Sequence, residues 1–419
     1  MCIIVGEFTV TTERGDHRAN FLAMAAEGPL GRGSVGGSGG IIRLPARLDR
    51  MRRRRRKVPP RVSIVFAVHN PSYAGNLLRR TQTCLRNLIE LANRHRFPLE
   101  IVIVEWNPHP QHAPFREGLS WPDSLGTVRL RFIEVPAELH LRLPNADRIP
   151  IFEYLAKNVG LRRACGQYLL ATNPDLVYSE ALIRFLAGHR PAPGRFYRVD
   201  RSDLSMDVPE TDSIDTQLTF CKGHVARVHA YFGSFTPRAQ GSPAPDWRSI
   251  LESEYAALRS GGTLPDGPKH ETEATMLFPL DGLHRNAAGD FFLMARRHWL
   301  ALRGYPEIYT HSHIDAIMCW MASSAGLTQT ILPSRYKLYH QVHERSLHAT
   351  FPHTDWQLWH ERYLDAIRHG RAMIVNDEDW GLGREALREW VAGPRRTLEP
   401  ACTSRLEVDP PSISAEAPA

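Results

Sequence analysis

Residues 151–176 read IFEYLAKNVGLRRACGQYLLATNPDL. Phe152 to Ala164 carries apolar residues at helical spacing, and Gly166 marks a turn. Tyr168 to Thr172 is then a short apolar run, read as a buried strand, and it stops at the polar turn Asn173-Pro174-Asp175. A helix followed by a buried strand predicts a parallel sheet. In such sheets, ligand-binding side chains collect at the carboxyl ends of the strands. Asp175 stands at such an end. Asn173 lies two residues before it, so the two side chains are expected to turn to one side and to face a divalent cation. The competing reading is structural: an Asn-Pro-Asp turn that caps the helix beginning near Ser179.

Working outward, the same pattern repeats. VSIVFAV (62–68) is an apolar, β-branched run that ends at His69-Asn70-Pro71, a turn signal. Residues 76–94 show one apolar helical face. LEIVIV (99–104) and VRLRFIEV (128–135) are further strands, the first ending at Glu105. Helix 181–188 and strand 196–199 follow. Strands alternating with helices predict an α/β fold with a doubly wound, mostly parallel sheet. Between Asp200 and His284 the pattern weakens, and only a helix at 247–258 is legible. Order returns with a strand at 289–294, a short helix at 298–302, an apolar helix at 313–325 capped by Gly326, strands at 328–332 and 336–339, and an amphipathic helix at 356–369.

Composition limits the function classes. The 419 residues are 42% hydrophobic and 23% charged, an ordinary globular balance. No apolar run reaches the length of a membrane span. The six cysteines are scattered without a CxxC pair, which argues against a disulfide framework and a cysteine zinc site. Cys84, Cys165 and Cys319 read as small core residues. The net charge of +7 is concentrated in the run Arg52 to Lys57. That run reads as a solvated tether, with contact to an anionic membrane surface as the second reading. No aromatic residues interleave with it, so no nucleic-acid partner is expected. The N-terminus puts its apolar stretch before any basic residue, unlike a signal peptide, so a cytoplasmic protein, peripheral to the membrane at most, is expected.

The strand ends together resemble a known family. VSIVFAVHN (62–70), EIVIVEWNP (100–108) and LAKNVGLRRACGQYLLATNPD (155–175) resemble the nucleotide-binding half of GT-A-fold glycosyltransferases of the family-2-like type. GDFFLMARRHWLALRGYPE (289–307), followed by an acidic helix, resembles their acceptor-side half. The usual Asp-Asp strand end is replaced by one containing Glu105, and the usual Asp-x-Asp turn by Asn173-Pro174-Asp175. The resemblance implies transfer of a sugar from a nucleotide-diphospho-sugar, most often a UDP-sugar, to an acceptor hydroxyl on a glycan, a lipid or a small molecule.

It also implies roles. Asp175 would hold Mn²⁺ or Mg²⁺ against the diphosphate, with His340 or His343, spaced i, i+3, completing the ligand shell. Val68, His69 and Asn70 would line the base pocket, Glu105 would contact the nucleoside, and Lys157, Asn158 and Asn173 would approach the nucleotide or diphosphate. Asp290 would bind the donor sugar or acceptor hydroxyls. Asp315 would be the base of an inverting transfer, kept ionised by the helix N-terminus. The expected domains are a disordered, Gly-rich and basic extension (1–60), a nucleotide-sugar half (61–200), a variable acceptor-side segment (201–288), a catalytic half with C-terminal helices (289–392) and a disordered tail (393–419). The competing functions are a non-catalytic sugar- or partner-binding module of the same fold and a sugar nucleotidyltransferase. The segment 69–75 lacks the Gly-rich, basic loop expected of the latter.

Overall fold

The computed structural model describes residues 60–69, 76–188, 191–210, 213–231, 233–237, 274–276, 282–310, 313–343, 352, 354–393 and 397–400. The chain divides into two units, Met1–Lys57 and Val58–Ala419, and every described residue belongs to the second. In chain order the elements are β1 (Val62–Val68), α1 (Leu77–Arg94), β2 (Leu99–Trp106), α2 (Phe115–Gly118), β3 (Val128–Val135), α3 (Ala137–His140), α4 (Glu153–Arg163), β4 (Tyr168–Thr172), β5 (Leu176–Tyr178), α5 (Glu180–Gly188), β6 (Arg195–Arg198) and β7 (Arg201–Leu204). They continue with α6 (Ile214–Gly223), β8 (Val225–Ala230), β9 (Gly233–Phe235), β10 (Ala274–Met276), β11 (Phe291–Ala295), α7 (Arg296–Ala301), α8 (Ile314–Ser324), β12 (Thr328–Ile331), β13 (Leu338–His340), α9 (Trp356–Arg368), β14 (Arg388–Ala392) and β15 (Leu398–Pro400).

The larger sheet runs β12-β6-β11-β4-β1-β2-β3-β14-β15. Its centre is parallel: β1 pairs with both β2 and β4, and β2 with β3. Strand β11 enters antiparallel between β4 and β6. The chain thus winds outward from β1 in both directions, and the direction reverses between β1 and β4. That is the position where doubly wound sheets leave a crevice at the strands' carboxyl ends. His69 ends β1 and Asn173 ends β4, so both stand at this reversal. The expected doubly wound, mostly parallel α/β fold of GT-A type is present.

Period-two alternation explains the burial. Ile64, Phe66 and Val68 of β1 join the core under α1 and α5, whereas Val65 and Ala67 join the core under α4 and α8. Both faces of β1 are covered, which is why its sequence is an unbroken apolar run. Gly160 lets α4 approach closely, because a Cβ there would stand 2.4 Å from Val65 Cγ1. Trp299 and Tyr305 pack on each other and on Phe292 of β11, Trp320 of α8 packs against Trp356 and Tyr363 of α9, and all three are fully buried.

A smaller sheet runs β10-β9-β8-β7-β13-β5, and the sequence pattern does not announce it. Its members in 201–235 are short, and residues facing the site are polar, so β7 (RSDL) and β8 (VARVHA) give no apolar alternation to read. Other expectations are corrected. The strand expected at 289–294 starts at Phe291, after one 3₁₀ turn at Ala288–Asp290. Cys165 is exposed instead of a core residue, because α4 ends two residues before it. The tail does not start at 393: Leu398–Pro400 pairs antiparallel with β14, which itself extends the main sheet beyond β3. The helix expected at 247–258, the run Arg52 to Lys57 and most of the segments expected to be disordered lie outside the described residues. Among the described residues, no helix is long and apolar enough to cross a membrane.

Candidate metal and donor site

Ladder register assembles the site. Strand β5 begins directly after Asp175, and β13 pairs antiparallel with it, setting His340 opposite Leu176. On its other side β13 runs parallel to β7, setting His340 opposite Asp203. The Gln341 N–H donates to the Asp175 carbonyl (3.0 Å), which holds the chain beyond β13 against the turn and brings His343 in.

Three side-chain atoms converge as a result. Asp175 Oδ2 lies 3.5 Å from His340 Nε2 and 3.3 Å from His343 Nε2, and the two imidazole nitrogens are 3.3 Å apart. The point equidistant from all three lies roughly 2 Å from each, the bond length of a first-row divalent cation to nitrogen or oxygen. Three acceptor atoms facing one another repel unless a cation stands among them, either a proton or a metal. The other Asp175 oxygen, Oδ1, is buried and has no hydrogen-bond partner among the described residues. A buried carboxylate oxygen in that state carries a cost that an incoming ligand removes. Among the described residues, this is the group of His, Cys, Asp and Glu with metal-ligand spacing.

The electrostatics favour positive charge at this point, whether carried by a proton or by a metal. Burial works against an ionised Asp175, but His340 and His343 hold its carboxyl well below the usual range. Burial works equally against a charged His340, yet Asp175 and Asp203 raise it to about 9. Arg80 Nε stands 3.8 Å from Asp175 Oδ2 and adds positive charge from α1.

Around this centre lies a polar network that joins the two sheets. Lys157, fully buried on α4, donates to Glu153 Oε1 (2.6 Å), Asn173 Oδ1 (2.6 Å) and the Gly289 carbonyl (3.1 Å). The Asn173 amide donates to Asp290 Oδ1 (2.7 Å), and Asp290 Oδ2 accepts from Arg201 (2.9 Å). Both ends of the Asn173 amide are therefore engaged. The expectation that Asn173 and Asp175 face one cation together is corrected: Asn173 faces Lys157 and Asp290, while Asp175 faces the histidines. The cap of α5 is Ser179, which accepts from Leu182 N–H; β5 separates the Asn173-Pro174-Asp175 turn from that helix, so the expectation that this turn caps it is corrected.

The remaining predicted residues divide. His69 donates from Nδ1 to the Trp106 carbonyl (2.9 Å), and burial lowers its pKa. Val68 is buried in β1, and Asn70 lies outside the described residues. Glu105 is buried; its Oε1 accepts from Phe115 N–H (2.6 Å) and its Oε2 is 3.6 Å from Arg116. Asn158 is fully buried, bonding both Tyr305 backbone groups and Glu307, so it is committed to the 305–307 turn inside the fold and does not reach the site opening. Asp315 accepts from Gly289 N–H (2.7 Å) in the first turn of α8. Its carboxyl is shifted up, not down as expected, because burial outweighs the helix N-terminus. Sequence reasoning missed Arg201, Asp203 and His229, all in the smaller sheet; Arg201 and Asp203 share one face of the short β7 and His229 lies on β8, and four residues without apolar alternation do not mark a strand.

No protein-family model matches the chain, and no curated protein matches it. Among solved structures, GalNAc-T7 in complex with UDP, GalNAc and Mn²⁺ is similar over 77% of this chain and 53% of its own, at 13% identity and a TM-score of 0.37. The catalytic domain of a Drosophila β1,4-galactosyltransferase 7 with xylobiose covers 73% and 79% at 10% identity and 0.33, and S. aureus TarS 67% and 37% at 12% identity and 0.33. The chain thus spans about half of the GalNAc-T7 chain. Likeness at these values carries no argument about activity, and the GT-A-type fold of this chain rests on its own strand order.

Proposed function

We propose that the chain is a metal-assisted glycosyltransferase that takes a nucleotide-diphospho-sugar, a UDP-sugar by the family resemblance, and transfers its sugar to an acceptor hydroxyl. The observation that carries this reading is the convergence of Asp175, His340 and His343 at the reversal point of a doubly wound sheet, with one buried Asp175 oxygen left over. Two imidazoles and one carboxylate suit Mn²⁺ better than Mg²⁺, which favours oxygen donors. A bound divalent cation would act as Lewis acid on the departing diphosphate.

The chain's own residues supply the rest. Arg80, beside the cation that Asp175 and the histidines would hold, gives the diphosphate a positive wall. Asp290, fixed by Asn173 and Arg201, offers a carboxylate edge to sugar hydroxyls. Val68 and His69 line the base pocket from the end of β1, beside Glu105. Asp315 takes the acceptor proton as the hydroxyl oxygen attacks the anomeric carbon and the bond to the diphosphate breaks. A carboxyl shifted up by burial is the stronger base once ionised, which suits this role. The acceptor, whether glycan, lipid or small molecule, is left to the segment 201–288 and α8, and contact of Arg52 to Lys57 with an anionic membrane belongs to the same proposal.

Thermal unfolding with UDP and other nucleoside diphosphates, with and without Mn²⁺, tests the reading. Ligands bound only by the folded state raise the midpoint. The expected result is a rise with nucleoside diphosphate that depends on Mn²⁺, together with release of nucleoside diphosphate from the matching sugar nucleotide. A midpoint indifferent to every nucleotide and metal sinks the proposal, and Mn²⁺-dependent binding without any turnover points to the binding-module alternative.

A further inference from the structure

The smaller sheet holds a carboxylate that neither the motifs nor the resemblance assigns. Asp203 lies opposite His340 in the parallel β7–β13 ladder. Its Oδ1 is 3.3 Å from His340 Nδ1, at the edge of the ring away from the nitrogen that faces Asp175 and His343. The carboxylate is itself held. Arg201 Nε stands 2.8 Å from Oδ1, and His229 Nε2 stands 2.8 Å from Oδ2. His229 is in turn fixed by Ser234, whose Oγ is 2.6 Å from Nδ1, and Asn286 holds Ser234 from the far side. The carboxylate thus has His229 hydrogen-bonded at Oδ2 and the charged groups of Arg201 and His340 close to Oδ1, and it stands partly buried behind the candidate metal ligands.

An imidazole offers a lone pair from one nitrogen only when the other carries the proton. A carboxylate at Nδ1 places the proton there and turns Nε2 toward the cation. We infer that Asp203 is the positioning residue of the metal site: it fixes His340 in the Nδ1–H form and in the orientation that points Nε2 at Asp175 and His343. The inference rests on the metal reading of those three residues. Through Arg201, which also bonds Asp290, the same carboxylate links the metal ligands to the candidate sugar-binding acid.

Mn²⁺ titration of the full chain, followed by calorimetry, tests it in four proteins: wild type, Asp203→Asn, His340→Ala and the double variant. Asparagine keeps the shape but offers His340 an amide in place of a pure acceptor. Asp203→Asn is expected to weaken Mn²⁺ binding by about 10- to 100-fold, the usual cost of losing an outer partner. In the His340→Ala background the same change is expected to add nothing, since there is no imidazole left to orient. A fold defect would instead weaken binding in both backgrounds and lower the metal-free unfolding midpoint, and either result overturns the inference. Equal affinity of wild type and Asp203→Asn overturns it while leaving the metal site intact. A wild type that binds no Mn²⁺ at all overturns the metal reading itself, and this inference with it.

Discussion

Two of the buried carboxylates, Glu100 and Asp175, stand at opposite ends of the central strands and are treated in opposite ways. Glu100, at the start of β2, is fully buried and fully engaged. It accepts from Ser63 Oγ, from Cys165 N–H (2.7 Å) and from Arg131 (3.0 Å), and Arg131 is held again by Glu389 of β14 (2.6 Å). Asp175, past the carboxyl end of β4, keeps one oxygen without a partner and surrounds the other with imidazole nitrogens. The first pattern is what a structural acid needs, because a buried charge is tolerated only when paired and hydrogen-bonded. The second leaves a deficit that a ligand can meet. Polar satisfaction, more than burial or charge, separates the scaffold end of this sheet from its working end.

The contrast can be broken by substitution. Asp175→Ala is expected to have the largest effect, with donor turnover and Mn²⁺ affinity falling by more than about 100-fold, since even outer partners of a metal cost up to that much. Metal-free circular dichroism should stay unchanged, and turnover at the wild-type rate would remove Asp175 from the site. Asp315→Asn is expected to lower kcat by about 10²- to 10⁴-fold, the contribution of a general base. Its Mn²⁺ affinity should match wild type, and a parallel loss of affinity would show that Asp315 acts through the fold.

Glu100→Ala should do the reverse. Removing one partner of a buried ion pair costs about 3–5 kcal/mol, read as a lower urea midpoint, with Mn²⁺ affinity preserved in the folded fraction. If stability is untouched, Glu100 is not the structural acid described. The smallest effect belongs to Glu307. Burial raises its carboxyl from 4.5 to about 7, while Asn158 and Gly381 N–H donate to it. A group raised in the folded state lends stability below its unfolded pKa and loses it as pH climbs through the folded value. Stability should therefore decline between about pH 4.5 and 7, and Glu307→Gln, which keeps both acceptor bonds, should flatten that decline in urea titrations. An unchanged slope would assign it to other groups.

Much of the scaffold was readable because its strands are buried on both faces. VSIVFAV, LEIVIV and YLLAT are unbroken apolar runs, and only a covered parallel sheet calls for such runs. The turn that ends in Asp175 was readable for the same reason: polarity stops the run abruptly. The smaller sheet was not, since RSDL and VARVHA face a polar site with every second residue, and strands that serve chemistry lack the alternation that announces a strand. Lys157 and Asn158 show the other limit. Both sit on α4 in a motif that points toward a nucleotide, yet both are buried. The face of α4 that meets the sheet carries Gly160, where a Cβ would stand 2.4 Å from Val65 Cγ1, a packing detail that spacing does not reveal.

The register that places β13 between β5 and β7 has a mechanical side. His340 and His343 reach Asp175 from a part of the chain far downstream, so a cation held by all three is a removable cross-link closing a long loop. Its loading would tighten the smaller sheet as a staple does, by taking freedom from the open chain. A chelator would then act first as a proteolysis sensitiser of residues 338–343, before any loss in the main sheet.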